Sequence, residues 1–163
     1  MIQIASTRFN NKTLGENNLY KNNNNIDGVI YGVNVKINEK YPFNTILFII
    51  EMNNDLNKIN GIGLIKNKLC IEKKVNIYSD FNYNQYIYQG DYWISREKLL
   101  RYDNNLLDLL EAMLFKGKSH LKRQSGISII TNKLFKRWNC EENILKENLK
   151  VIFLREFKLK PEL

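Results

Sequence analysis

Thr45-Ile-Leu-Phe-Ile-Ile-Glu-Met52, followed after Asn53-Asn54-Asp55 by Ile59-Asn-Gly-Ile-Gly-Leu-Ile-Lys66, decides the fold. The first segment is a continuous apolar run, the pattern of a strand buried on both faces. The Asn/Asp cluster supplies turn chemistry, because short polar side chains bond to their own backbone. Two such runs joined by a turn are expected to pair as adjacent antiparallel strands.

Toward the N-terminus, Val29, Tyr31, Val33, Val35 and Ile37 recur at period two, with Ile30, Gly32, Asn34 and Lys36 between them. That predicts a strand with one apolar side, broken at Tyr41-Pro42 because proline cannot donate to a ladder. Ile2–Phe9 reads as a short strand. Residues 10–25 are Asn-rich with few apolar positions and read as a loop or mobile insertion. Toward the C-terminus, Leu69–Ser79 and Tyr83–Ser95 are rich in Ile, Val and Tyr and read as two more strands. Asp103 is a candidate N-cap for a helix over 104–114, with Leu106, Leu110 and Met113 on one stripe and Gly117 at its end. Ile127–Ile130 reads as a short strand, and Thr131 as the cap of a helix carrying Leu134, Phe135 and Trp138. Residues 141–150 continue as helix, and 150–158 fit neither period. The expectation is a mixed α/β (α+β) domain of five or six strands and two or three helices.

The 163 residues suit one domain: an Asn-rich segment (10–25), a core (26–138) and a helix/strand extension (139–163). Two Pro and two Cys exclude a collagen-like chain and a disulfide scaffold. The longest apolar run is far below the 18 or so residues that span a bilayer, so no membrane partner is expected. The N-terminal residues lack the basic start and apolar stretch of a signal peptide, which points to a reducing compartment. Cys70 and Cys140 lie far apart and His120 is the one histidine. A structural zinc site needs about four soft ligands, so neither metal nor cofactor is expected. The sequence has no phosphate-binding glycine loop, nucleophile elbow or zinc-protease motif. Asn (25) is the commonest residue and Ile (20) and Lys (19) are frequent, a bias of AT-rich codons that colours any reading of lysine.

Charge gives the first functional signal. The formal net charge is +8, and between Glu111 and Glu141 no acidic residue occurs. Lys116, Lys118, Lys122, Arg123, Lys133, Lys136 and Arg137 fall there. Such clustering is what polyanion binding uses; a solvated basic face is the plainer alternative. Within the same stretch, Gly117 and Gly126 bracket a run of donors, Lys118, Ser119, His120, Lys122, Arg123, Gln124 and Ser125, suited to phosphate oxygens. A second signal is Glu51 and Asn53 opposite Gly61 and Gly63, which leave one strand face without side chains. That face has room for a flat base beside Tyr86 or Trp93, or for a packed aromatic. A buried Glu51 needs a partner, with Arg8 and Arg96 as candidates.

Ile26-Asp-Gly-Val-Ile-Tyr-Gly, then the apolar strand and Lys58-Ile-Asn-Gly-Ile-Gly-Leu-Ile, then Leu121-Lys-Arg-Gln-Ser-Gly-Ile-Ser-Ile-Ile-Thr ending near Trp138, together resemble the PUA-like superfamily and its EVE and YTH domains. The resemblance covers residues 26–138. It implies a curved β-barrel flanked by helices that binds RNA or DNA, often through one modified base; the aromatic cage of YTH domains is not recognisable. Phe48–Ile65 and Phe115–Gly126 also resemble proteins of large nucleocytoplasmic DNA viruses, which implies an origin and not an activity. The leading expectation is a non-enzymatic nucleic-acid-binding protein. The alternatives are a viral structural or assembly protein with a basic face, and a nucleic-acid-processing enzyme using Glu51 with His120 or Lys118 as acid–base groups.

Overall fold

The computed structural model describes residues 1–70 and 74–159. The chain runs β1 (Ile2–Phe9), α1 (Asn11–Asn23), β2 (Val29–Val33), β3 (Ile46–Asn53), β4 (Lys58–Lys66), a 3-10 turn (Phe81–Asn84), β5 (Tyr86–Gly90), β6 (Tyr92–Ser95), α2 (Arg96–Tyr102), α3 (Asn104–Phe115), β7 (Ser128–Ile129), α4 (Asn132–Arg137) and α5 (Glu142–Phe157). Five strands form one sheet in the order β6-β4-β3-β1-β7, and β2 pairs with β5 in a second. β3 and β4 are antiparallel neighbours as their sequences predict. β1 lies parallel to β3, with Ile2 opposite Ile46 and Phe9 opposite Asn53. A parallel pair needs a crossover, and the chain through α1 and β2 supplies it.

Alternation along β3 explains its unbroken apolar run. Phe48, Ile50 and Met52 meet Leu110 and Met113 of α3, Phe135 of α4, and Leu149 and Phe153 of α5. Leu47 and Ile49 meet Val29, Tyr31 and Val33 of β2 and Tyr88 of β5. The central strand is therefore covered by helices on one face and by the second sheet on the other. The described residues form two sheets and no closed barrel, and they contain five helices where two or three were expected.

Residues 10–25 are not a loop. Asn10 accepts from the Thr13 amide at 2.8 Å while Thr13 Oγ1 accepts from the Asn10 amide at 3.0 Å, a reciprocal cap that starts α1. The helix docks through Asn17, which is buried and donates to the Ile30 carbonyl at 2.7 Å and the Tyr78 hydroxyl at 3.0 Å. A buried amide with both donors paired takes the place of the apolar stripe that periodicity looks for. β2 is also shorter than expected. Beyond Val33 the chain turns out, Val35 is exposed, and the Ile37 amide is captured by the Tyr88 hydroxyl at 3.0 Å.

Residues 71–73 of the stretch 69–79 lie outside the described residues, and the described part carries one isolated bridge, Leu69 to Tyr88, in place of a strand. Tyr83–Ser95 is a 3-10 turn and then two strands, each in a different sheet. Asp103 caps α3 as expected, accepting from the Leu106 amide at 3.0 Å. Thr131 precedes α4 but makes no side-chain cap. Residues 150–157 are helical, because Leu149, Ile152 and Phe153 bury themselves against the sheet. Phe153 lies 5.1 Å from Phe48 between ring centroids.

Candidate nucleic-acid interface

Glu51, Gly61, Gly63 and Trp93 do share a face, the one turned toward the second sheet. The room left by the glycines is filled by the protein itself. A Cβ at Gly61 would lie 2.6 Å from Trp93 Nε1, and one at Gly63 would lie 2.2 Å from the Tyr31 hydroxyl. Of the two alternatives the sequence left open on this face, a flat base or a packed aromatic, the packed one is found, with Trp93 and Tyr31 filling the space. Glu51 is 4% exposed and finds its partners without an arginine. Tyr31 Oη donates to it at 2.8 Å and Asn60 Nδ2 at 2.7 Å. Register slips between Glu51, opposite Gly61, and Met52, opposite Ile59. Asn60 is the extra residue of this bulge, and its amide is re-aimed at the carboxylate. Burial, and then the adjacent Glu51 charge, push the Tyr31 phenol well above its ordinary value, so it stays a neutral donor. Arg8 and Arg96 go elsewhere, to the Lys122 carbonyl and to Glu111.

Removing the phenol leaves a buried carboxylate one donor short. Tyr31→Phe is expected to cost about 1–3 kcal/mol in urea unfolding at pH 7. Glu51→Gln in the same chain should recover part of that loss, a coupling of at least ~1 kcal/mol in a double-mutant cycle. Additive effects would show that the pair does not interact.

Two further expected base contacts are structural. Asn53 is buried, donates to Asn11 Oδ1 and accepts from the Asp55 and Leu56 amides, which closes the β3–β4 turn. Tyr86 lies in the second sheet with Lys36 Nζ 5.3 Å from its ring centroid. The acid–base set of the enzyme alternative is not assembled. Both Glu51 oxygens are taken by Tyr31 and Asn60, and neither His120 nor Lys118 is hydrogen-bonded to it.

The basic stretch divides in two. Residues 116–126 form a loop whose Lys122 carbonyl meets Arg8 at the end of β1 and Asn54 after β3. β7 then runs back along β1, with Ser128 opposite Ser6 and the Ile130 amide donating to the Ile4 carbonyl. Lys133, Lys136 and Arg137 on α4 therefore leave from the other end of β1, so the expected single cradle of seven charges is two groups. Lys116, Lys118 and Arg123 are exposed and Lys122 is half-buried. Among the described residues none of the seven cations forms an ion pair. Ser119, His120 and Gln124 are half-buried in the loop.

Beside that loop opens a cavity of about 210 Å³. Its floor is Thr7–Asn10, at the end of β1 and the cap of α1, with Thr13 one turn on. Gly32 and Val33 of β2, Asn54, Tyr78, Tyr83 and Gly126 complete it. Tyr83 stands edge-on to Tyr78, 6.3 Å between centroids. At this volume, below the ~300 Å³ of drug-sized clefts, the space suits one flat ring system. Arg8 is the one charged residue of the lining among the described residues. One guanidinium nitrogen holds the Lys122 carbonyl at 2.7 Å, and the remaining donors have no protein partner among the described residues. The α1 N-terminus adds little positive field, because Asn10 and Asp55 occupy its first amides. Sequence reasoning misses this cavity: it weighed Arg8 as a partner for Glu51 and Gly126 as one end of the donor run, and nothing in the sequence brings the two together. The one local signal was Arg8-Phe9-Asn10 running from a strand into an Asn10-x-x-Thr13 cap.

No family model, curated protein or solved structure matches this chain.

Proposed function

We propose that the chain is a nucleic-acid-binding protein of PUA-like architecture that holds one base in the cavity beside Arg8 and tracks phosphates along Lys116–Arg123. The observation that carries the reading is one juxtaposition. Among the described residues, a ring-sized cavity walled by Tyr78 and Tyr83, with Arg8 as its one charge, abuts a loop with four cations that no carboxylate neutralises. Planar aromatic walls and a guanidinium fork suit a base and its phosphate. The PUA-like part of the reading rests on the second sheet wrapping across the first, where the chain passes from β5 through Asp91 into β6.

The test is fluorescence anisotropy with a labelled single-stranded oligonucleotide across a salt series. Four phosphate contacts predict that log affinity falls with log salt at a slope of about −3. Tyr83→Ala should weaken binding by about 5- to 150-fold, the worth of one stacked base, and leave the slope unchanged. A flat salt response removes the reading. A steep slope with Tyr83→Ala silent favours the assembly-protein alternative, in which the basic surface meets a polyanion without holding a base.

A further inference from the structure

The four cations of the loop are aimed by its main chain. None of the Lys116, Lys118, Lys122 or Arg123 side chains has a hydrogen bond or ion pair to the rest of the described residues. What fixes the segment is its backbone. Asn54 Nδ2 and Arg8 Nη1 converge on one acceptor, the Lys122 carbonyl, at 2.9 and 2.7 Å. Both donors stand on rigid ground. Arg8 lies in β1, opposite Met52 of β3, and Asn54 is pinned by its own amide to the Phe9 carbonyl at 2.8 Å. The remaining ties among the described residues are few: Leu121, buried in the helix-side core with its amide on the Leu114 carbonyl, the Ser125 hydroxyl on Asn34 Oδ1, and the Ser125 carbonyl accepting from the Ser128 hydroxyl. Asn54 Oδ1, and His120 Nδ1 and Gln124 Oε1 of the loop itself, are shielded and have no hydrogen-bond partner among the described residues. The loop's polar side chains thus contribute little to holding it down, and the shared carbonyl carries its placement.

We propose that Asn54 and Arg8 are positioning residues: their clamp on the Lys122 carbonyl sets the basic loop at the cavity mouth, so that a neutral side chain governs how many phosphates the loop reaches. The inference rests on the nucleic-acid reading for its functional half and stands on structure alone for the clamp itself.

Asn54→Asp keeps the shape of the side chain and turns a carboxylate oxygen toward the carbonyl it used to bond. In hydrogen exchange on the unliganded protein, the Leu121 and Gln124 amides should exchange at least about tenfold faster, since the loop's local opening no longer breaks that bond. Arg8→Met, which removes the other donor from a side chain of similar length, should do the same. Unchanged exchange in both variants overturns the clamp, whatever the protein binds. The salt series with the labelled oligonucleotide then tests positioning. Released cations should make the Asn54→Asp slope shallower by about two, whereas the added carboxylate by itself accounts for about one. A change of one or less overturns the positioning role. Binding by the wild-type protein that ignores salt overturns the nucleic-acid reading and the positioning role with it, and leaves the clamp to be decided by exchange.

Discussion

Reversing two charges of the loop, Lys118→Glu with Arg123→Glu, lowers affinity for a single-stranded oligonucleotide by about 100- to 1,000-fold at 0.1 M salt, if the cavity and loop act as proposed. Each phosphate neutralised on a single strand contributes about 0.7 to the salt slope, and so about 0.7 decades of affinity at 0.1 M relative to 1 M. Two lost contacts remove about 1.4 decades. Two new carboxylates facing the strand add repulsion of similar size, because attraction and repulsion scale alike with charge at fixed distance. The slope should fall from about −3 to near zero in the same titration. The matched variant on α4, Lys133→Glu with Lys136→Glu, carries the same change in net charge from the other end of β1. Its expected effect is less than about tenfold, from the overall field alone. Equal losses from the two variants would mean that the strand spans the length of β1 and that the loop has no special place in binding.

Legibility in the sequence followed the kind of interaction that holds each element. β3, β4 and α3 were readable because an apolar run, a turn cluster and a capped stripe each leave a mark in local sequence. α1 was not, because its anchor is one buried amide, Asn17, whose meaning depends on Ile30 and Tyr78 being opposite it. Tyr83–Ser95 looked like one strand because the apolar pattern runs on through the transfer between sheets. The glycines at 61 and 63 announced a close approach, but not whether ligand or protein makes it; Trp93 and Tyr31 do. The charge excess was plain in the sequence, yet its division was invisible, because the two-residue strand β7 is what sends the chain back along β1. The cavity draws on segments from Thr7 to Gly126 with no shared motif, so only the assembled sheet brings them together.

The largest effect on stability should come from Gly90→Ala, at the point where the two sheets touch. An added Cβ there would sit 1.9 Å from the Leu64 carbonyl oxygen and 2.9 Å from its carbon. Both are main-chain atoms of β4, and Leu64 is held between Phe48 of β3 and Tyr92 of β6, so nothing can rotate aside. On the other side, a Cβ at Gly28 would lie 2.0 Å from the Gly90 carbonyl oxygen, so three backbone segments meet with no side chain between them. Relief requires the second sheet to lift from the first, which opens the core holding Tyr31 and Tyr88. Overpacking of this kind costs about 3 kcal/mol or more, because backbone shifts are needed and not a change of rotamer. For a chain of this size that is a fall of roughly 6–12 °C in the thermal midpoint followed by circular dichroism. Gly15→Ala supplies the contrast. Gly15 lies inside α1, exposed, with nothing within 4 Å of the new Cβ. Alanine there should raise stability by about 0.5–1 kcal/mol through helix propensity and a less free unfolded chain. A Gly90→Ala protein as stable as the wild type would mean that β4 and β5 do not approach this closely. The cavity, whose wall includes Gly32 and Val33 of the same second sheet, would then lose the support that shapes it.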